Sequence, residues 1–252
     1  MDFRMLLIHI LRFAALAVFL SAAGASAGSG DIQLETGILG FSRNDVRIPG
    51  DGGTRFDMLD LTGSGPEPVA RLLATWQFHP RHALRLTLAP LETRGTGRLD
   101  RDTTFEEVLF PAGVDTKGRY RFNTYRLAYR WTFHESRRWR WGFGASALVR
   151  DAEVSLEQPG LKAAKDDLGL VPLLHLRGEY WMNDQTALVA DVEGAAAAQG
   201  RAIDAALQLQ WDFRPGWRAA AGYRTIEGGA DNDEVYTFAW LHQVVVSLGA
   251  RF

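Results

Sequence analysis

No cysteine occurs in the 252-residue chain, which excludes a disulfide framework, a thiolate metal site and a cysteine nucleophile. Lysine is scarce, being confined to Lys117, Lys162 and Lys165 among 28 basic residues. Neither sign of charge is in excess: 30 acidic residues give a formal charge of -2, and the electrostatic footprint of a nucleic-acid binder is missing. Also lacking is a run of about 20 apolar residues, the length a membrane-spanning helix needs. The apolar stretch from Phe13 to Leu20 is eight residues long.

That stretch follows Arg4 and Arg12 and precedes a small-residue tail ending Ala25-Ser26-Ala27, the three-part pattern of a secretory signal peptide. Cleavage is expected after Ala27. Residues 28–252 then form one exported domain that either folds around an ordinary core or enters a membrane as strands.

What is abundant is period-two alternation, the signature of strands with unlike faces. In the segment 125–133, Tyr125, Leu127, Tyr129, Trp131 and Phe133 share one face, opposite Arg126, Ala128, Arg130 and Thr132. The same apolar-against-charged pattern returns in 83–89, 139–150, 170–181, 186–194 and 203–213. Short turns at 79–82, 134–138, 182–185 and 214–216 join the strands. Trp76, Trp131, Trp139, Trp141, Trp181, Trp211 and Trp217, seven of the eight tryptophans, lie within three residues of those turns. Tryptophan favours the level of lipid headgroups, so a belt of it beside one set of short turns predicts a periplasmic aromatic girdle. The other connections, 42–69, 92–119, 153–168, 195–202 and 226–236, are longer and more polar, as outer loops are. The alternation predicts an all-β, up-and-down antiparallel transmembrane barrel of about ten strands, eight or twelve being the alternatives. Phe56 to Leu61 also alternates, but an extra strand there would break the even count, and it is assigned to an outer hairpin.

The signal peptide, the alternating hairpins and the ending Val244-Val-Val-Ser-Leu-Gly-Ala-Arg-Phe252 resemble the small outer-membrane β-barrels of Gram-negative bacteria, the OmpW/OmpA-like superfamily. The segments 105–113 and 119–133 are similar to a proteobacterial group of barrels without an established activity. The resemblance implies that Phe252, with Ala250, Leu248, Val246 and Val244, is the signal read by the barrel assembly machinery. His242 departs from that apolar pattern. Outer-membrane lipids and lipopolysaccharide are the further partners implied, and a monomer is expected.

With the apolar face toward lipid, the lumen is lined by Arg85, Arg126, Arg130, Arg140, Arg150, His175, Arg177, Glu179, Asp191, Glu193, Asp204 and Asp212, joined by Arg71, Arg218, Arg224 and Glu35. Such groups are expected to pair across strands, because a desolvated charge without a partner is costly. The competing expectation is restricted, anion-selective passage along the arginines.

Catalysis has little support. His134-Glu135-Ser136 has the His-x-Ser spacing of lipid A deacylases, but Arg137 stands where Asn is expected, and the triplet falls in a short turn without an orienting third group. The acidic run Asp231-Asn-Asp-Glu234 lacks EF-hand spacing and reads as a plain turn. Gly50-Asp-Gly-Gly53 lacks the lysine of a phosphate-binding loop. No catalytic residue, metal or cofactor is expected. The sequence thus predicts a structural or interaction role in the envelope, with restricted passage of small solutes beside it. A lipid A-modifying enzyme and a soluble lipocalin-like binder, whose aromatic face would be its core, are the alternatives.

Overall fold

The computed structural model describes residues 28–252, and the expected signal peptide, residues 1–27, lies outside the described residues. The chain runs through β1 (Ser29–Arg47), β2 (Phe56–Asp57), the one-turn helix α1 (Leu59–Thr62), β3 (Glu67–His79), β4 (His82–Ala89) and β5 (Glu92–Arg98). It continues through β6 (Thr103–Phe105), β7 (Val108–Phe110), β8 (Asp115–Glu135), β9 (Trp139–Gln158) and β10 (Leu161–Trp181). The last four strands are β11 (Thr186–Ala197), β12 (Gly200–Arg214), β13 (Trp217–Asp231) and β14 (Tyr236–Arg251).

In a hydrocarbon slab every backbone N–H and C=O needs an internal partner, and a sheet meets that demand only by closing on itself. Here β1, β3, β4 and β8 to β14 each pair antiparallel with the next, and β14 returns to β1 in a ladder from Asp31↔Arg251 to Arg47↔Tyr236. The result is a ten-stranded up-and-down barrel with no exposed edge. Beyond Pro90 and Leu91, β5 extends the line of β4 along β8. Proline has no N–H for the ladder, which accounts for the break.

Alternation sorts the faces as expected. Leu86, Leu127, Trp131, Phe143, Leu174, Leu207, Val244 and Leu248 stand exposed on the outside. Such a continuous apolar band is foreign to a water-facing surface and suits lipid. The lipocalin-like alternative is overturned here, because the aromatic face is the exterior.

Several connections expected to be loops are strand. β9 and β10 continue to a turn at Pro159 and Gly160, the latter at φ 79°, while β11–β12 and β13–β14 likewise run on through much of 195–202 and 226–236. Above the membrane both faces of a strand meet water or protein, so Lys117 to Arg121 or Glu153 to Glu157 carries no lipid-facing apolar row to mark it. The ladder persists there while its binary pattern lapses. These hairpins carry an exterior ion-pair ladder in which Arg119 bridges Glu92 (2.9 Å) and Glu153 (2.6 Å), and Arg121 reaches Asp151 (2.8 Å).

The two longest connections fold inward instead. Phe56 and Asp57 pair with Val46 and Asp45 of β1 as β2, and the rest of the presumed hairpin segment coils into α1. Together with residues from 99–110, this segment builds an apolar cluster in the loop half of the interior: Phe41, Ile48, Phe56, Met58, Leu61, Leu99, Phe105, Phe110, Tyr120, Leu156 and Leu241 are all buried in it. Phe41 meets Tyr120 edge-on at 6.0 Å, and Phe56 meets Phe105 at 6.1 Å. Glycines admit α1 to the wall: a Cβ on Gly97 would lie 2.0 Å from the Asp60 carbonyl oxygen, and one on Gly118 2.7 Å from Leu61 Cβ.

Candidate functional site

The turn half of the interior is the opposite of that cluster. Inward positions of β1, β3, β4, β8, β10, β11, β12 and β13 bring arginines and carboxylates into one connected network. Asp204 on β12 accepts hydrogen bonds from Arg71 (2.9 Å), Arg126 (2.6 Å) and Arg224 (2.5 Å). Glu35 on β1 accepts from Arg224 Nε (3.0 Å) and Gln208 (2.6 Å), and Arg71 Nε lies 3.6 Å away. Arg126 also donates to Glu193 (2.9 Å), whose carboxylate accepts from Arg85 (2.5 Å) and from the Ser146 hydroxyl (3.1 Å). From Arg85 the chain of pairs passes to Asp191 (2.7 Å), then Arg177 (2.7 Å), then Glu179 (2.8 Å).

The pairs of Arg71 and Arg126 with Asp204, and of Arg85 with Asp191 and Glu193, join strands that are not neighbours in the sheet, so the network ties the wall across the lumen. Its net contribution to stability is modest, because burying the charges costs nearly what their attraction returns. Its consequence lies in removal: deleting one partner strands the other.

Of the twelve residues singled out in the lumen, Arg85, Arg126, His175, Arg177, Glu179, Asp191, Glu193 and Asp204 belong to this network. His175 is fully buried, with Nε2 3.2 Å from Asp191 Oδ1 and 3.3 Å from Arg85 Nη2. Ligand atoms of His175, Asp191 and Glu193 gather within 4.8 Å, but Arg85 hydrogen-bonds both carboxylates and occupies with its own charge the place a cation would take. Arg140 and Asp212 lie at the turn-end rim. Arg140 pairs with Glu135 and lies 3.9 Å from Glu179, while Asp212 forms an ion pair with Arg251 at 2.9 Å. Arg150 stands apart, higher in the barrel, and pairs with Asp167. Arg130 has no carboxylate within 4.0 Å among the described residues and faces a cavity.

That cavity holds about 360 Å³. It opens at the turn end beside Ser29, Trp181 and Arg251 and reaches up to Asp204 and Arg224. None of its lining residues belongs to the apolar cluster, which occupies the interior beyond it.

The tryptophans divide. Trp76, Trp131, Trp139, Trp211 and Trp217 are exposed on the outer face near the turns, and Trp141 stacks on Trp139 at 5.7 Å. Trp181 differs from the expected girdle position: it opposes the fully buried Ala187 and lines the cavity mouth. The outward parity of Leu174, Leu176 and Tyr180 makes the next residue an inward one.

No hydrogen bond joins His134 and Ser136 among the described residues. The Ser136 hydroxyl accepts from Trp139 N–H (3.1 Å) and caps the turn, and His134 is exposed. In the acidic turn, Asn232 Oδ1 accepts from the Glu234 and Val235 N–H groups (3.0 and 2.9 Å), so a side-chain-closed turn accounts for that run. Sequence reasoning left unnamed Asp31 and Arg251 at the rim, gave Glu135 no part in the lumen, and did not gather the apolar cluster, whose Phe56 to Leu61 it assigned to an outer hairpin. The signal for the cluster was present in Ile48, Phe56, Met58, Leu61, Phe105 and Phe110, which are too apolar for loops surrounded by water.

No family model matches the chain, and no curated protein matches it. Among solved structures it is similar to the attachment invasion locus protein Ail of Yersinia pestis in complex with the heparin analogue sucrose octasulfate, at 11% identity and TM-score 0.42 over 90% of this chain and 100% of that one. The outer-membrane protease OmpT of Escherichia coli is similar at 10% identity and TM-score 0.48, over 89% and 97% of the two chains. The translocator domain of the autotransporter NalP of Neisseria meningitidis is similar at 11% identity and TM-score 0.35, over 97% and 95%. Likenesses this distant carry no activity across. The chain's own geometry decides its class: a closed antiparallel ladder, an apolar outer band with tryptophans at its turn end and a charged interior make it an outer-membrane β-barrel protein of the Gram-negative envelope.

Proposed function

We propose that the chain has a structural or interaction role in the cell envelope, as a monomer without cofactor or catalytic centre. The observation that carries this reading is the obstruction of the lumen: charge pairs cross its turn half around the cavity, and two outer connections fold inward to occupy its loop half. Building so much of the outer chain into a plug supports a rigid extracellular head rather than a channel, and the apolar cluster weighs against restricted passage. The exterior ladder around Arg119 and Arg121 sits above the apolar band, where lipopolysaccharide phosphates are the anions at hand. Kinship with the OmpW/OmpA-like barrels and recognition of Phe252 by the barrel assembly machinery complete the proposal.

Reconstitution into planar bilayers tests it. Silence over many insertions is the expected result, from protein whose gel mobility shifts on boiling as a closed barrel's does. Stepwise conductance from the intact protein would replace the interaction role with passage.

A further inference from the structure

We infer that the cavity at the turn end is a binding site for a small multivalent oxyanion that enters from the periplasm. This goes beyond the envelope role and does not depend on it. The cavity is lined by nine arginines and six carboxylates. Two carboxylates just outside the lining hold rim arginines, Glu135 on Arg140 and Asp212 on Arg251. Among the described residues, Arg130 alone of the nine arginines has no ion pair.

Arg85 and Arg177, charges of its own sign, act on Arg130 together with Asp191 and Glu179, and those two carboxylates are themselves held by Arg85 and Arg177. Its stem lies flat against Gly142, where a Cβ would come within 2.7 Å of Arg130 Cδ. The missing side chain of Gly142 is thus what lets Arg130 lie along the wall. Arg130 is half-buried and the carboxylates nearest it are held by other arginines, so an oxyanion taken from water supplies the direct partner it lacks.

The remaining features fit the same ligand. A volume of about 360 Å³ lies in the range of small-molecule sites. Guanidinium forks match phosphate and carboxylate oxygens two at a time. Arg140, Arg218 and Arg251 surround the mouth, so the field that draws an anion in begins at the rim. The apolar cluster lies beyond the far end, so an anion leaves by the mouth it entered.

The test is calorimetric titration of the mature barrel in zwitterionic micelles at low salt, with pyrophosphate and citrate as separate probes for phosphoryl and carboxylate chemistry. Saturable one-site binding of at least one probe is expected. Arg130→Gln should weaken it about tenfold or more, the loss of a charged hydrogen-bond partner. Arg98→Gln, on a solvent-exposed outer hairpin, should leave it unchanged. No saturable binding of either probe, or equal binding by Arg130→Gln, would overturn the proposal.

Should Arg130→Gln fail to give a heat-modifiable barrel, the absence of native cysteine offers a second measurement. Thr75→Cys places one thiol in the cavity wall. An anionic thiol reagent should label it faster than a cationic one of similar size, and the bound probe should slow both. Equal rates without protection would count against the site. Conductance measurements do not bear on either readout, so this inference and the envelope role can fail separately.

Discussion

Below Thr87 the interior is held by guanidinium–carboxylate pairs, whereas above Phe122 it is held by Phe41, Met58, Phe105, Phe110 and their buried apolar neighbours. Both halves are enclosed by the same ten strands, yet they were filled by different routes. The charged half is filled by the wall itself, each inward side chain reaching across to another strand. The apolar half is filled by inserted chain, with α1 seated against Gly95, Gly97 and Gly118 of the wall and the 99–110 segment packed into the same cluster. A wall of short pitch can close its lumen with long arginines, but tight closure in dry contact requires side chains brought in from outside the ladder. The charged half is consequently brittle to single deletions, and the apolar half to loss of volume.

The largest effect is expected from Asp204→Ala. It leaves Arg71, Arg126 and Arg224 without their shared acceptor and should cost about 3–5 kcal/mol. The midpoint of urea unfolding, followed by heat-modifiable gel mobility, measures it. If the loss were as small as that of an exposed pair, the contrast between the halves would be wrong.

Next comes Phe105→Ala, which removes a fully buried ring packed against Phe56 and should cost about 3 kcal/mol. The loss should be felt within the plug. Protease should cut the 48–66 and 99–114 connections faster while the barrel keeps its heat-modifiable mobility. Unfolding of the whole barrel together with the plug would mean that the two halves are one cooperative unit.

The exterior ladder supplies a weaker, pH-dependent term. Partial burial pushes the Glu92 carboxyl up, but hydrogen bonds and charge from Arg119 and Arg94 prevail and hold it below the usual glutamate range. A lowered folded value gives stability that is present above the unfolded value and lost as pH falls through the folded one. Being half exposed to solvent, the contribution should stay below about 1 kcal/mol. Proteolysis of the β4–β8 connection should therefore quicken modestly on acidification below the ordinary glutamate range, and Glu92→Gln should abolish that dependence.

The smallest change in stability is expected from exchanging tryptophans. Trp139→Phe should lower the share of fluorescence quenched by a lipid-borne quencher, and Trp181→Phe should not, because its ring faces the cavity mouth. Equal losses would return Trp181 to the girdle.

Much of this was legible because lipid imposes a strict rule. Tyr125 to Phe133 had to alternate to present one face to hydrocarbon, and the same rule marked the strands and placed Arg126, Asp191 and Asp204 inside before any partner was known. Where lipid ends, so did the rule: β5 and the outer parts of β8, β9 and β10 are strands in the ladder but carry charges on the outside and read as loops. Trp181 was misplaced because adjacency to a turn and side-chain parity gave different answers, and parity prevailed.

The sequence by itself determined the alternation, the turns, the girdle and the inward charges, since these follow from local period and from the cost of wetting or drying each side chain. Only the tertiary structure decided which arginine meets which carboxylate, that Arg130 meets none within reach, and that two outer connections turn inward. Those outcomes depend on which strands face one another across a closed lumen, a distance that no local pattern encodes.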